Sequence, residues 1–279
     1  MPSGHSASAD PQAVPVADAE VLLHGDEPAP VEVLAATSAI PMVLSCDHAS
    51  NRVPRRLRDM GLPAEALQRH IAWDPGASEV TRIIAERTGV GAVLCGYSRL
   101  VIDCNRRLDD PTLIVALADG QQIPANQGLT DAARASRITA IHSPYHEALQ
   151  RELDTRRECG APPALISIHS FTPVLQGERR PWQAGVLWDK DGRIPIPLMR
   201  MLTEAGFLVG DNEPYSGRAH WDYTIDHHAE AALIPHAVIE IRQDQIADAA
   251  GQRRWGELLA DSLTTILAQI AAGTLEVQP

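Results

Sequence analysis

The sequence predicts a three-layer α/β fold around a central mixed, mostly parallel sheet. Three observations carry this expectation. Short apolar runs alternate with helix-period segments from about Pro41 onward. Two of those runs, Met42-Val43-Leu44-Ser45 and Leu165-Ile166-Ser167-Ile168, end in polar residues that include a histidine, and α/β proteins place their chemistry at strand ends. Neither an internal repeat nor a compositional break divides the chain.

Strands are expected at 42–46, 91–95, 99–103, 164–168, 184–188, 206–209 and 236–241. Helices are expected at 54–60, 64–71, 77–88, 131–158, 196–204 and 252–272. In the third of these, Val80, Ile83, Ile84 and Thr88 share one face, and in the last Trp255, Leu258, Leu259, Leu263 and Ile266 form the apolar stripe. Residues 1–30, rich in Ala, Pro, Asp and Ser, read as a mobile N-terminal tail and loosely attached lead-in, and 31–279 as a single catalytic domain. The stretches 107–130 and 171–183 read as long loops near a site, of the kind that serve as lids.

The 279 residues, 44% of them hydrophobic, suffice for one sizeable core. A net charge of −12 opposes binding to a nucleic-acid backbone. Four cysteines (Cys46, Cys95, Cys104 and Cys159) include no CxxC pair and read as reduced thiols. With no signal-peptide pattern in the first residues and no apolar run of about 20 residues, the expectation is a cytoplasmic protein without a membrane partner.

The chemistry-bearing residues suggest a metal hydrolase. His48 and His169, each at the end of an expected strand, are nitrogen donors of the type zinc takes. A third ligand is needed: Asp74, in Trp73-Asp74-Pro75-Gly76, can reach back from a turn, while Asp47 adjoins His48 and can instead orient a ligand. The alternatives are hydrogen-bonded structural histidines and, for Asp74, a helix cap. Glu240 lies among apolar neighbours in Val238-Ile239-Glu240-Ile241; if buried its pKa rises, which suits proton transfer, and if solvent-facing it is one residue of an alternating strand. In Arg99-Leu100-Val101-Ile102-Asp103-Cys104-Asn105-Arg106, Arg106 can clamp a carboxylate, Asn105 can add a hydrogen bond and Arg99 can stabilise an oxyanion, against the plainer reading of a surface ion pair. His142 and His146 stand at i,i+4 with Pro144 between them; His146 is taken as a substrate contact and His142 as structural. From the polar stretch that holds His220, His227 and His228, Arg218 and His227 are carried forward as substrate-side residues, although spacing does not choose among the histidines. Glycine-rich phosphate loops and a GxSxG elbow are absent.

Taken together, Cys46-Asp47-His48-Ala49-Ser50-Asn51-Arg52-Val53-Pro54, Trp73-Asp74, Tyr97-Ser98-Arg99, Ile102-Asp103-Cys104-Asn105-Arg106, Pro144-Tyr145-His146, Ile168-His169-Ser170 and Ile239-Glu240 resemble the N-formylglutamate amidohydrolase family from about Pro41 to about Arg254. The resemblance implies a zinc carboxypeptidase/phosphorylase-hydrolase-like fold with one Zn2+ ion on His48, Asp74 and His169. It further implies Glu240 as general base and Arg99, Asn105 and Arg106 as substrate contacts. Asp103-Cys104-Asn105-Arg106 also resembles the carboxylate-binding Asp-x-Asn-Arg motif of aspartoacylase-type enzymes. Asn51 stands where a His-x-x-Glu pattern would have its glutamate, which leaves Asp74, Asp47 and Asn51 as alternatives for the third ligand. Asp226 stands where the family typically carries a basic residue, a departure that points to a divergent branch. The expected activity is hydrolysis of a small N-acyl amino acid, with N-formyl-L-glutamate first. A peptidase or murein-type amidase with an open cleft and a non-catalytic small-molecule binder are the rivals.

Overall fold

A computed structural model describes residues 21–158, 160, 162–219 and 222–275. Residues 1–20 of the tail and lead-in expected over 1–30, the Cys159 thiol and the candidate His220 lie outside the described residues.

Seven segments pair into one sheet: β1 (Val31–Leu34), β2 (Met42–Cys46), β3 (Gly91–Cys95), β4 (Ala164–Phe171), β5 (Ala184–Leu187), β6 (Val209–Asp211) and β7 (His236–Arg242). Their spatial order is β1-β3-β2-β4-β7-β5-β6. The β3/β2, β2/β4, β4/β7 and β5/β6 pairs are parallel, whereas β1/β3 and β7/β5 are antiparallel. The sheet is thus mixed and mostly parallel, as predicted. Its central strands are buried on both faces, which is why they read as continuous apolar runs.

Alternation along the strands sorts side chains into two layers. On one face Met42, Leu44, Ile166, Ile168, Ile239 and Ile241 pack under α1 (Ala77–Thr88), α4 (Pro195–Glu204) and α5 (Ala249–Ala272). The α5 stripe of Trp255, Leu259, Leu263 and Ile266 is fully buried there, each side chain contributing roughly 1.5–3 kcal/mol of burial. On the other face Val43, Val93, Leu165 and Val238 meet the helical rod made of α2 (Asp131–Arg137), a π turn (Ile138–His142) and α3 (Ser143–Glu158). The predicted helix over 131–158 is therefore interrupted. The π turn ends two residues before Pro144, whose missing N–H removes a bond to this turn of the regular α ladder.

Other boundaries differ as well. Residues 99–103 form no strand: Leu100, Val101 and Ile102 are buried in a turn-rich loop, so their apolarity reports burial rather than sheet pairing. β1, unmarked in the sequence, adds an antiparallel edge. Residues 21–30 are fastened rather than loose: Leu22 is buried, the Tyr97 hydroxyl donates to the Pro28 carbonyl, and the Gly96 amide donates to the Pro30 carbonyl. The stretches 107–130 and 171–183 each carry a two-residue β ladder. No helix of the described residues is long and apolar enough to cross a membrane.

Candidate active site

The polar residues gather where parallel strands end, on the face that carries Val43 and Val238. β2 ends at Cys46, and the chain turns at once into Asp47 and His48. Asp74 arrives from the next loop, and its backbone amide donates to the His48 carbonyl at 3.0 Å. Gly76 makes that approach possible. It adopts φ +81° at the start of α1, and a Cβ there would stand 2.5 Å from the Ile246 carbonyl oxygen. In β4 and β7 the parallel register sets His169 opposite Glu240, so both side chains leave the same face of adjacent strands.

His48 and His169 turn the same ring atom, Nδ1, toward one carboxylate oxygen. Asp74 Oδ2 lies 3.4 Å from His48 Nδ1 and 2.9 Å from His169 Nδ1. The far nitrogens are committed elsewhere: His48 Nε2 donates to Asp103 Oδ1 at 2.7 Å and His169 Nε2 to Asp47 Oδ2 at 3.0 Å. Asp47 is held in turn by the Thr224 hydroxyl at 2.8 Å. Arg99 spans the two remaining acids, reaching Asp103 Oδ2 at 3.0 Å and Asp74 Oδ1 at 3.4 Å.

Electrostatics follow from this packing. Burial and Arg99 oppose a charge on His48, yet Asp103 and Asp74 outweigh them and raise its pKa. Burial likewise opposes charge on His169, whose pKa is driven well up by Asp47 and Asp74. Burial raises and the histidines lower Asp74, and the net result is well below the usual carboxylate range. Glu240 has no such partner: burial pushes it up to about 7, and its Oε2 has no hydrogen-bond partner among the described residues.

His48, Asp74 and His169 each offer one ligand atom, all within 4.8 Å of one another, and could hold a metal ion. Two neutral imidazoles and one carboxylate match a catalytic zinc set with a position left for water. The Asp103–His48 and Asp47–His169 bonds are the carboxylate–histidine pairs that fix tautomer and ring angle around such an ion. The residues therefore fit the cation, and Asn51 is not among them: its amide donates to the Leu67 carbonyl at 2.9 Å.

A cavity of about 220 Å3 opens over the cluster, lined by His48, Asp74, His169, Glu240, Arg99, Asn105 and Arg106. Sequence reasoning missed the rest of its wall: His70, Ser170, Leu187, Tyr215, Ser216, Gly217 and Asp222. Most of these are polar loop residues without a local pattern. One signal was Gly185, which faces Glu240 in the β5/β7 register. A Cβ on Gly185 would stand 1.8 Å from the Glu213 carbonyl oxygen, so only glycine lets the segment 213–217 arch over the sheet beside Glu240.

His146, Arg218 and His227 do not come to the cavity wall among the described residues. His146 is buried behind the 103–106 loop, with Nε2 2.8 Å from the Cys104 carbonyl and Nδ1 3.0 Å from His228 Nε2. Arg218 is exposed and lies over the Trp188 ring. His227 is exposed and stacks on Tyr223. Helical spacing and a polar stretch marked these three, but their partners direct them elsewhere.

An α/β sheet brings two imidazoles, an acid and a desolvated glutamate to one small cavity, a set suited to hydrolysis beside a bound cation. The model of the family described as N-formylglutamate amidohydrolase matches residues 40–247, and the chain belongs to that family. It is 26% identical over 252 residues to an N-formylglutamate deformylase of Pseudomonas putida, covering 85% of this chain and 92% of that protein. Among solved structures, gene product Atu2144 of Agrobacterium tumefaciens superposes with a TM-score of 0.86 at 32% identity, covering 90% of this chain and 99% of that one. An N-formylglutamate amidohydrolase from Ralstonia eutropha JMP134 shares the fold, with a TM-score of 0.64 at 22% identity over 88% of this chain and 98% of that one.

Proposed function

We propose that the protein is a zinc-dependent amidohydrolase that cleaves the amide of a small N-acyl amino acid, with N-formyl-L-glutamate, giving formate and L-glutamate, as first choice. The observation that carries this reading is the unpartnered, buried Oε2 of Glu240 beside the His48–Asp74–His169 group. Family membership and the deformylase relative support the choice of bond and substrate. The cavity of about 220 Å3 has room for a small acyl amino acid beside Glu240.

A zinc ion held by His48, Asp74 and His169 would polarise the amide carbonyl and acidify the attacking water. Glu240 takes a proton from that water as its oxygen adds to the carbonyl carbon. It then returns the proton to the departing nitrogen, breaking the C–N bond; burial, which raises the pKa of Glu240, favours its taking the proton in the first transfer. Arg106 and Asn105, both in the cavity wall, hold the substrate carboxylate. Arg99 is braced by Asp103 and Asp74 and supplies N–H donors where negative charge develops on the carbonyl oxygen. A cytoplasmic location is part of the same reading, in accord with the free thiols of Cys46, Cys95 and Cys104.

Formate release from N-formyl-L-glutamate tests the proposal, assayed with and without a chelator alongside metal analysis. Turnover should vanish on metal removal and return with zinc. Turnover that survives both exhaustive chelation and Glu240→Gln would defeat it.

A further inference from the structure

The loop 103–106 has a difficult task. It carries Asp103, which orients His48, together with Asn105 and Arg106 in the cavity wall. It belongs to no strand or helix, and Asp103, Cys104 and Asn105 are buried. A buried irregular backbone needs partners for its carbonyls, and two histidines provide them. His146 Nε2 lies 2.8 Å from the Cys104 carbonyl oxygen and His142 Nε2 lies 3.0 Å from the Arg106 carbonyl oxygen.

A carbonyl only accepts, so each Nε2 carries the ring proton. Burial favours neutral rings at both positions, lowering the pKa of His146 to about 3 and that of His142 below its usual value. The rings of His142 and His146 lie with centroids 4.5 Å apart, and His146 Nδ1 meets His228 Nε2 edge to edge at 3.0 Å. The π turn over Ile138–His142 ends at His142, and His146 lies in the first turn of α3, so the break in the helix adjoins both residues.

We infer that His142 and His146 are positioning residues that clamp the 103–106 loop by alternate carbonyls. His146 fixes the half that orients His48; His142 fixes the half that presents Arg106 to substrate. The inference rests on the amidohydrolase reading for its kinetic consequences, but the clamp has a direct readout that does not need it.

That readout is hydrogen exchange at the Asn105 amide, which donates to Asp103 Oδ1 at 2.9 Å within the loop. In His146→Ala it should exchange about tenfold faster with global unfolding unchanged; wild-type protection in that variant would overturn the clamp. His146→Ala should also release zinc to a competing chelator about 10- to 100-fold more readily. His142→Ala should raise KM about tenfold, with kcat and zinc retention within about twofold of wild type. Gln in either place sets an amide N–H near the position of Nε2 and should restore most of each property. Should the Ala variants fold poorly, the Gln variants decide: a His146→Gln protein with native melting but Asn105 exchange about tenfold faster than wild type, or a His142→Gln protein with native melting but KM about tenfold higher, would refute the clamp. A wild-type protein that neither retains zinc nor releases formate would sink the functional reading and leave the exchange result standing.

Discussion

Glu240→Gln should have two opposite effects, and both follow from one buried oxygen. The glutamate is 7% exposed, and its pKa is raised by burial from 4.5 to about 7. A carboxyl whose pKa is higher folded than unfolded binds its proton more tightly in the native state. Its ionisation therefore destabilises the fold: no cost is felt below about 4.5, the cost grows as pH rises, and it is complete above about 7. The shift corresponds to a destabilisation on the order of 3 kcal/mol at alkaline pH. Glutamine cannot ionise. Metal-stripped Glu240→Gln should therefore gain stability over metal-stripped wild type by up to about 3 kcal/mol at about pH 8.5, relative to the same comparison at about pH 4.5. Taking the difference between the two pH values cancels the fixed cost of burying an amide. The zinc-loaded variant should lose about 10²- to 10⁴-fold in kcat, the usual contribution of a positioned general base. Denaturant melts of the stripped proteins and formate release from the loaded ones measure the two quantities. A variant with wild-type turnover, or one whose relative stability does not change with pH, would refute the assignment of Glu240 as a desolvated base.

Three further outcomes are expected. Asp103→Asn keeps the shape but removes the charge that orients His48 and raises its pKa, so zinc affinity should fall about 10- to 100-fold in chelator competition. Zinc binding should release protons near neutral pH and weaken as pH falls, because His48 and His169 have raised pKa values and must lose their protons to bind an ion; calorimetry in buffers of different ionisation enthalpy counts those protons. Gly185→Ala should push the 213–217 segment off the sheet and raise KM about tenfold or more, while zinc content stays stoichiometric, as read by steady-state kinetics and metal analysis.

Much of the sheet was legible because Met42–Cys46, Gly91–Cys95 and Ala164–Phe171 are buried on both faces and their sequences carry that burial as continuous apolar runs. His48, His169 and Glu240 were legible for the same reason, as polar residues at the ends or in the middle of such runs. Leu100-Val101-Ile102 misled because an apolar run registers burial, and a packed loop buries side chains as well as a strand does. Tyr215, Ser216 and Asp222 carried no signal, since they reach the cavity only through contacts distant in sequence. His146 was conspicuous at i,i+4 from His142, but spacing did not disclose that both rings would face carbonyl oxygens instead of a ligand.

The arch over Gly185 gives one part of the cavity wall its own origin in the chain. The groups that would grip an ion and move protons come from β4, β7 and the turns after β2, whereas Tyr215, Ser216 and Gly217 come from a strap that merely crosses above them. Substitutions at Tyr215 and Ser216 can therefore reshape that wall while β4, β7 and the turn after β2 keep His169, Glu240 and His48 in place.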